Sequence, residues 1–73
     1  MLMVDQFSLK NAHLAHEMAG NVAIELNGNE QAQYHMGLAV IFARHMDDSA
    51  TIDRVMEKMK GANLELPDWV PEG

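Results

Sequence analysis

The sequence predicts an all-α fold: a three-helix bundle with an extended N-terminal arm and a packed, proline-containing C-terminal tail. Residues 36–43 carry no charge and are apolar on several sides of a helix, so at least two neighbouring elements must cover them. Residues 52–59 repeat apolar side chains at i, i+3, i+4 and i+7, the pattern of an amphipathic helix. The helical stretches are separated at residues 27–28 and 47–49, which are rich in turn-forming side chains.

The chain begins with a short apolar segment, residues 1–7, that we expect to be an extended arm, and Ser8 is a suitable N-cap for the first helix. That helix is predicted over about 9–26. Its large apolar residues recur every four positions, and we expect this stripe to face the core: Leu14, Met18, Val22 and Leu26. The reverse side would then carry Lys10, His13, His16, Glu17 and Asn21.

Two residues disagree with this helix. Gly20 weakens a helix interior by about 1 kcal/mol relative to alanine, and Ile24 falls on the polar side. An alternative is a short strand over 22–26 followed by an Asn-Gly hairpin turn. The continuous helix is favoured because the return strand, residues 29–35, is poor in residues that favour strands.

The second helix is predicted over about 30–46, with Asn29 as its N-cap, and the third over about 50–60, with Gly61 as its stop. The third helix should bury Ile52, Val55, Met56 and Met59. Residues 62–73 include two prolines and cannot be helical throughout. Their apolar side chains predict a tail that lies across the bundle, so residues 1–73 form one small helical domain.

Composition limits the function. The formal net charge is −6, from eleven acidic and five basic residues, so the chain lacks the clustered cations that bind nucleic acid. We expect a protein partner with a basic surface. The absence of cysteine and of a long apolar run predicts a cytoplasmic location and no membrane partner.

Candidate chemistry is sparse. His13, His16 and Glu17 have i, i+3 and i+4 spacing, which suits a metal site, but ordinary exposed helix histidines are the preferred interpretation. No nucleophile motif and no phosphate-binding glycine loop is present. The paired acids Asp47 and Asp48 lie on a predicted exposed turn, where burial cannot tune them. We therefore expect no enzyme and no cofactor.

Helices two and three with the intervening turn resemble the outline of a helix-turn-helix, so a DNA-binding regulator is an alternative function. The second helix of that motif would bring Asp53 and Glu57 towards the phosphates, only partly offset by Arg54, Lys58 and Lys60.

Protein interaction is the preferred class. The predicted binding residues are four acidic groups that steer a basic partner, Asp47, Asp48, Asp53 and Glu57, and two apolar anchors, Ile24 and Trp69. Self-association that hides the Trp69 region against a second copy is a further alternative.

In being very short, acidic, free of cysteine, helical and without a catalytic motif, the chain resembles the small proteins that phages encode to disable host machinery. Inhibitors of bacterial RNA polymerase fit the charge, and anti-CRISPR proteins fit it equally. The resemblance implies a non-enzymatic inhibitor or transcription regulator that occludes a basic surface of a larger protein.

Overall fold

The computed structural model describes the backbone of residues 2–71 and the side chains of residues 11–71. Three helices, α1 Leu2–Glu25, α2 Asn29–His45 and α3 Ser49–Gly61, are followed by an irregular tail. The described backbone contains no strand, so the three-helix bundle is confirmed and residues 22–25 are helical, as the preferred interpretation required. None of these helices combines the length and hydropathy needed to cross a bilayer.

The N-terminal segment differs from the prediction. Residues 2–7, expected to be an extended arm, are helical, and Ser8 lies inside α1 instead of capping it. The helix is interrupted only at Asn11, whose φ of −121° and ψ of 23° are not helical. The arm was predicted because seven residues cannot nucleate a helix alone, but a segment that extends an existing helix avoids most of that nucleation cost.

All three helices end with the same hydrogen-bonded motif. A left-handed residue follows two positions after each helix: Asn27, Asp47 and Asn63, with φ of 60°, 54° and 58°. The next amide then donates back to a carbonyl five residues earlier, at 2.8–2.9 Å, in Gly28 to Ala23, Asp48 to Ala43 and Leu64 to Met59. This is a Schellman motif, in which Asn and Asp are tolerated in place of glycine.

The predicted caps are therefore only partly right. Gly61 is the last residue of α3 and not its left-handed stop, and Asn29 is the first residue of α2 and not its N-cap. Gly28 occupies the N-cap position of α2 without a side-chain hydrogen bond. Asp48 does cap α3, accepting from the amide of Thr51, as the 47–49 segment predicted.

The core lies where α2 meets α3 and the tail. Its buried apolar members are Met36, Ala39, Val40, Val55, Met59 and Val70. Of the predicted α3 stripe, Val55 and Met59 are buried, Ile52 is half-buried and Met56 is exposed. The burial of Val70 confirms a packed tail, because it brings the end of the described chain into the same core as the central helix.

Glycine at position 37 is what lets the tail lie against α2. A Cβ added there would be 2.8 Å from Cη2 of Trp69, 3.0 Å from Cγ2 of Val70 and 3.2 Å from Cδ of Pro67. Arg44 of α2 also donates to the carbonyl of Pro71, which holds the tail at a second point. The tail is thus fixed along α2 by close apolar contact and by a hydrogen bond.

Candidate interaction surface

Helix α1 turns a different face to the core from the one its sequence predicts. The large apolar side chains expected inside are exposed: Leu14 by 36%, Met18 by 69%, Val22 by 55% and Leu26 by 75%. We call these four residues the α1 ridge. The face that packs inward contains His13, Gly20 and Ala23, which are all buried.

The reason for this rotation is a close approach between α1 and α2. A Cβ at Gly20 would lie 2.8–2.9 Å from three side-chain atoms of Met36, which is completely buried. The absence of a side chain at Gly20 therefore provides the space that Met36 fills. Gly20, which looked like a defect in an amphipathic helix, is a packing position.

The two predicted apolar anchors, Ile24 and Trp69, differ in their exposure to solvent. Ile24 is half-buried and packs against the core, so the premise that it lies outside is wrong. The same rotation that exposes the α1 ridge turns Ile24 inward. Trp69 is 49% exposed, and its ring centroid lies 6.1 Å from that of the exposed Tyr34. Trp69 thus closes the tail over Gly37 and still presents aromatic surface.

The four predicted acidic binding residues do not act as one group. Asp47 is exposed in its left-handed position, and Asp53 and Glu57 are exposed on α3. Asp53 and Glu57 border an open groove of about 770 Å³ between α3 and the tail, which also contains Lys60. Asp48 differs from the other three because it is half-buried and its carboxylate contacts His13 and Thr51 within the protein.

Asp48 is the centre of a polar cluster that joins the start of α3 to α1. Its Oδ2 accepts from the Thr51 hydroxyl at 2.6 Å and lies 3.1 Å from Nε2 of the buried His13. Its Oδ1 accepts from the Thr51 amide at 3.2 Å. The hydrogen bond from the Thr51 hydroxyl has the largest effect on the pKa of Asp48, which it lowers from its ordinary value. The hydrogen bond from the Thr51 amide and the contact with His13 lower this pKa further.

Arg54 extends this cluster. Its Nε donates to Oε2 of Glu17 at 2.9 Å and its Nη2 to Oε1 at 3.0 Å, a bidentate pair between α3 and α1. Nη2 also donates to the Thr51 hydroxyl at 2.9 Å. The carboxylate of Glu17 raises the pKa of Arg54 above its ordinary value. These contacts fix the orientation of α1 and so contribute to the exposure of the α1 ridge.

The candidate metal set from the sequence is not assembled. His13 faces Asp48, Glu17 faces Arg54 and His16 faces His35, so the three side chains have three different partners. Among the described residues, no group of three or more His, Cys, Asp or Glu side chains is placed to hold a metal ion. His13 is also buried, which contradicts its interpretation as an exposed helix histidine.

His16 and His35 form a pair between α1 and α2. Their Nδ1 atoms are 2.9 Å apart, and the rings meet edge to edge, with centroids 5.2 Å apart and an interplanar angle of 25°. Phe42 stacks on His16 with a centroid separation of 5.7 Å. Burial and then the proximity of His35 lower the pKa of His16 below its ordinary value.

Neither this pair nor the polar cluster has a local sequence signal, because His16 and His35 are 19 residues apart and His13 and Asp48 are 35 residues apart. One residue does indicate which face of α1 is packed. Gly20 in the middle of α1 predicts a close approach of another element, and the inner face of a helix follows from the position of such a contact.

No protein-family model, curated protein or solved structure matches this chain.

Proposed function

We propose that the protein is a non-enzymatic regulator that binds a larger protein, and that its α1 ridge takes an apolar helix face bordered by basic groups. The observation that supports this is a row of four large exposed apolar side chains spaced four residues apart, three of them on α1 and Leu26 directly after its last residue, while the other face of the helix is packed. Contiguous exposed apolar surface on a small domain is characteristic of an interaction site.

The ridge has the geometry of a helix-docking surface. Side chains at i and i+4 form a continuous ridge that fits the groove of a second helix, in the commonest class of helix packing. Met18, near its middle, is unbranched and adapts its shape to different partners. The tail and α3 do not occupy this side of α1, since all four ridge residues remain exposed.

The surrounding charge favours a basic partner over a second acidic copy of the chain. Residues 11–26 contain no Lys or Arg, and the exposed Glu25 adjoins the ridge. The last turn of α1 also has no basic side chain to compensate its helix dipole. A cationic side chain at the edge of the partner helix would be attracted to this end of the ridge.

The acidic residues identified from the sequence have a supporting role. Asp47, Asp53 and Glu57 are exposed and add to a net charge of −6, which accelerates the approach of a cationic partner. Arg44 and Arg54 are engaged with the Pro71 carbonyl and with Glu17. The intramolecular use of these two cations weakens the case for DNA as the ligand.

A defined peptide tests the chemistry directly. An amphipathic helical peptide of Leu and Lys is expected to bind the protein, and a Leu and Glu peptide of the same pattern is expected not to bind, as measured by calorimetry. Met18→Lys with Leu26→Lys should abolish binding, because it puts cations on the ridge. Met56→Lys, which changes an exposed methionine of α3, is the matched control and should bind as before.

Three outcomes would contradict this assignment. The first is equal binding of the two peptides. The second is equal loss in the Met56→Lys control. The third is a concentration-dependent dimer of the unmodified protein in light scattering that disappears in Met18→Lys, which would assign the ridge to self-association. The association rate of the Leu and Lys peptide should also be slower at about 0.5 M than at about 0.1 M salt, because exposed charges are then screened.

A further inference from the structure

The groove between α3 and the tail has a largely apolar lining. It is formed by Met56 and Met59 of α3 and by Leu64 and Leu66 of the tail. Met59 is buried, both leucines are half-buried and Met56 is exposed, so apolar surface continues from the core out to solvent. The groove volume of about 770 Å³ lies within the range of about 300–1,000 Å³ that is typical of ligand sites.

The tail side of the groove is held in place by hydrogen bonds. The amide of Leu64 donates to the carbonyl of Met59 at 2.8 Å, which fixes the tail to the end of α3. Nε2 of Gln33 donates to the carbonyl of Glu65 at 2.9 Å, which fixes the tail to α2. The groove is therefore formed before a ligand arrives, and binding requires little ordering of the chain.

The charged side chains of the groove are mostly acidic. Asp53 and Glu57 on α3 and Glu65 on the tail line it, against one cation, Lys60. All four are exposed, and among residues 11–71 the structure shows no ion pair for any of them. Asp53 and Glu57 are also one helical turn apart, where two like charges slightly destabilise a helix. A bound cation would remove this repulsion.

We propose that this groove binds a short extended segment of a basic protein, in which two cationic side chains at i and i+2 flank an apolar one. A second copy of this chain is a poor occupant, because its own formal net charge is −6. The groove shares no residue with the α1 ridge, so this site does not depend on the function proposed for the ridge.

The spacing of the carboxylates suits alternate side chains of an extended peptide. Residues four apart on a helix are separated by about 6 Å along its axis, and residues two apart in a strand by about 6.6 Å. Two cations of the ligand can therefore meet Asp53 and Glu57. The residue between them points to the opposite side of the strand and can contact the apolar lining.

The backbone of the tail favours an extended ligand over a helical one. In the described part of the chain, the amides of Glu65 and Leu66 donate no hydrogen bond. An extended peptide has free carbonyls that can accept from such amides, whereas the carbonyls of a helix are used within the helix. Backbone pairing and charge therefore point to the same class of ligand.

The test is a nuclear magnetic resonance titration of the intact protein with three peptides blocked at both ends. Thr-Arg-Val-Arg-Thr should bind at one site per chain and shift the backbone amides of Glu65 and Leu66. Thr-Glu-Val-Glu-Thr should not bind, because its charges repel those of the groove. Thr-Arg-Arg-Val-Thr has the composition and charge of the first peptide without its alternation, and should bind more weakly.

Paired variants separate the groove from the overall charge. Asp53→Asn with Glu57→Gln should weaken binding of Thr-Arg-Val-Arg-Thr by about twofold to thirtyfold, the loss of two exposed ion pairs. Glu25→Gln with Asp47→Asn is the matched control, since it removes two exposed carboxylates outside the groove and should change the affinity less. Circular dichroism shows whether each variant is folded.

Two variants from the ridge experiment distinguish the two sites. Met56→Lys puts a cation into the groove and should weaken Thr-Arg-Val-Arg-Thr, although it keeps the helical Leu and Lys peptide. Met18→Lys with Leu26→Lys should keep Thr-Arg-Val-Arg-Thr and lose the helical peptide. Each site can then fail without the other.

Several results would overturn the groove assignment. They are equal affinity of the two arginine peptides, an equal loss in the two charge-neutralised pairs, and loss of Thr-Arg-Val-Arg-Thr in the ridge variant. If the Asp53 and Glu57 variant is unfolded, the unmodified protein decides: saturating peptide that leaves the Glu65 and Leu66 amides unshifted would exclude the groove.

Discussion

Replacing Gly37 by alanine should detach the tail from α2. The added methyl group would meet Cη2 of Trp69 at 2.8 Å, Cγ2 of Val70 at 3.0 Å and Cδ of Pro67 at 3.2 Å. Two of these atoms belong to rigid rings and the third to a β-branched side chain, so no single flexible side chain can move aside. The tail must shift as a unit, and its buried residue must leave the core.

The magnitude follows from two opposing effects. Alanine gains about 1 kcal/mol over glycine in a helix interior. Val70 is only 6% exposed, and releasing a side chain of this kind to water costs about 1.5–3 kcal/mol. The net loss of unfolding free energy is therefore about 0.5–2 kcal/mol, which lowers the melting temperature of a domain of this size by roughly 2–16 °C.

Trp69 is the only tryptophan in the chain, so its fluorescence reports on the tail. In Gly37→Ala we expect emission at longer wavelength and easier quenching by iodide or acrylamide. Gly61→Ala is the control, because a Cβ at Gly61 meets no atom within 4 Å. It should leave the emission unchanged and keep or raise the melting temperature. Equal melting temperatures and equal emission in the two variants would refute the close contact between the tail and α2.

Three further predictions concern titration and caps. The pKa of His16 is lower in the folded chain than its ordinary value of about 6.5, so the unfolded chain binds protons more readily. The lowered pKa of His16 therefore has no effect on stability well above pH 6.5, and the free energy of unfolding should fall as pH decreases through about 6.5. In His16→Gln, melting temperatures measured over the same pH series should change less. Asp48→Ala removes the α3 cap and the partner of His13, so it should lower the melting temperature more than Asp53→Ala, which changes an exposed acid of the same helix. Asp47→Gly should raise the unfolding free energy by about 0.5–1 kcal/mol, because φ is 54° there and glycine adopts it without strain; a lower stability by urea titration would contradict this.

Helices α2 and α3 could be predicted because their signals are local. The uncharged segment around Val40 can only be a covered helix, and the turn at 47–49 separates it from a clear amphipathic repeat. Both helices begin and end within one residue of the predicted bounds. The packed tail was also predictable, since Leu64, Leu66 and Val70 are too apolar for a solvated segment.

The orientation of α1 could not be predicted from hydrophobicity alone. Ranking positions by apolar size places Met18 and Val22 inside, but the space available beside Met36 admits a glycine and not a large side chain. That restriction depends on a residue 16 positions later in the chain, which a helical projection of α1 does not contain. The error carried over to Ile24, whose role as an exposed anchor depended on the same projection.

The exposure of the α1 ridge has the same origin. Because Gly20 admits α2 so closely, His16 is brought against His35 on one side of α1, and the α1 ridge is turned to solvent on the other. The ridge is exposed although this small domain has few apolar contacts to spare, and burying one Leu or Met side chain fully is worth about 1.5–3 kcal/mol. A partner that covers the ridge should therefore bind with a negative heat-capacity change, the mark of buried apolar surface, which separates docking from a purely electrostatic encounter.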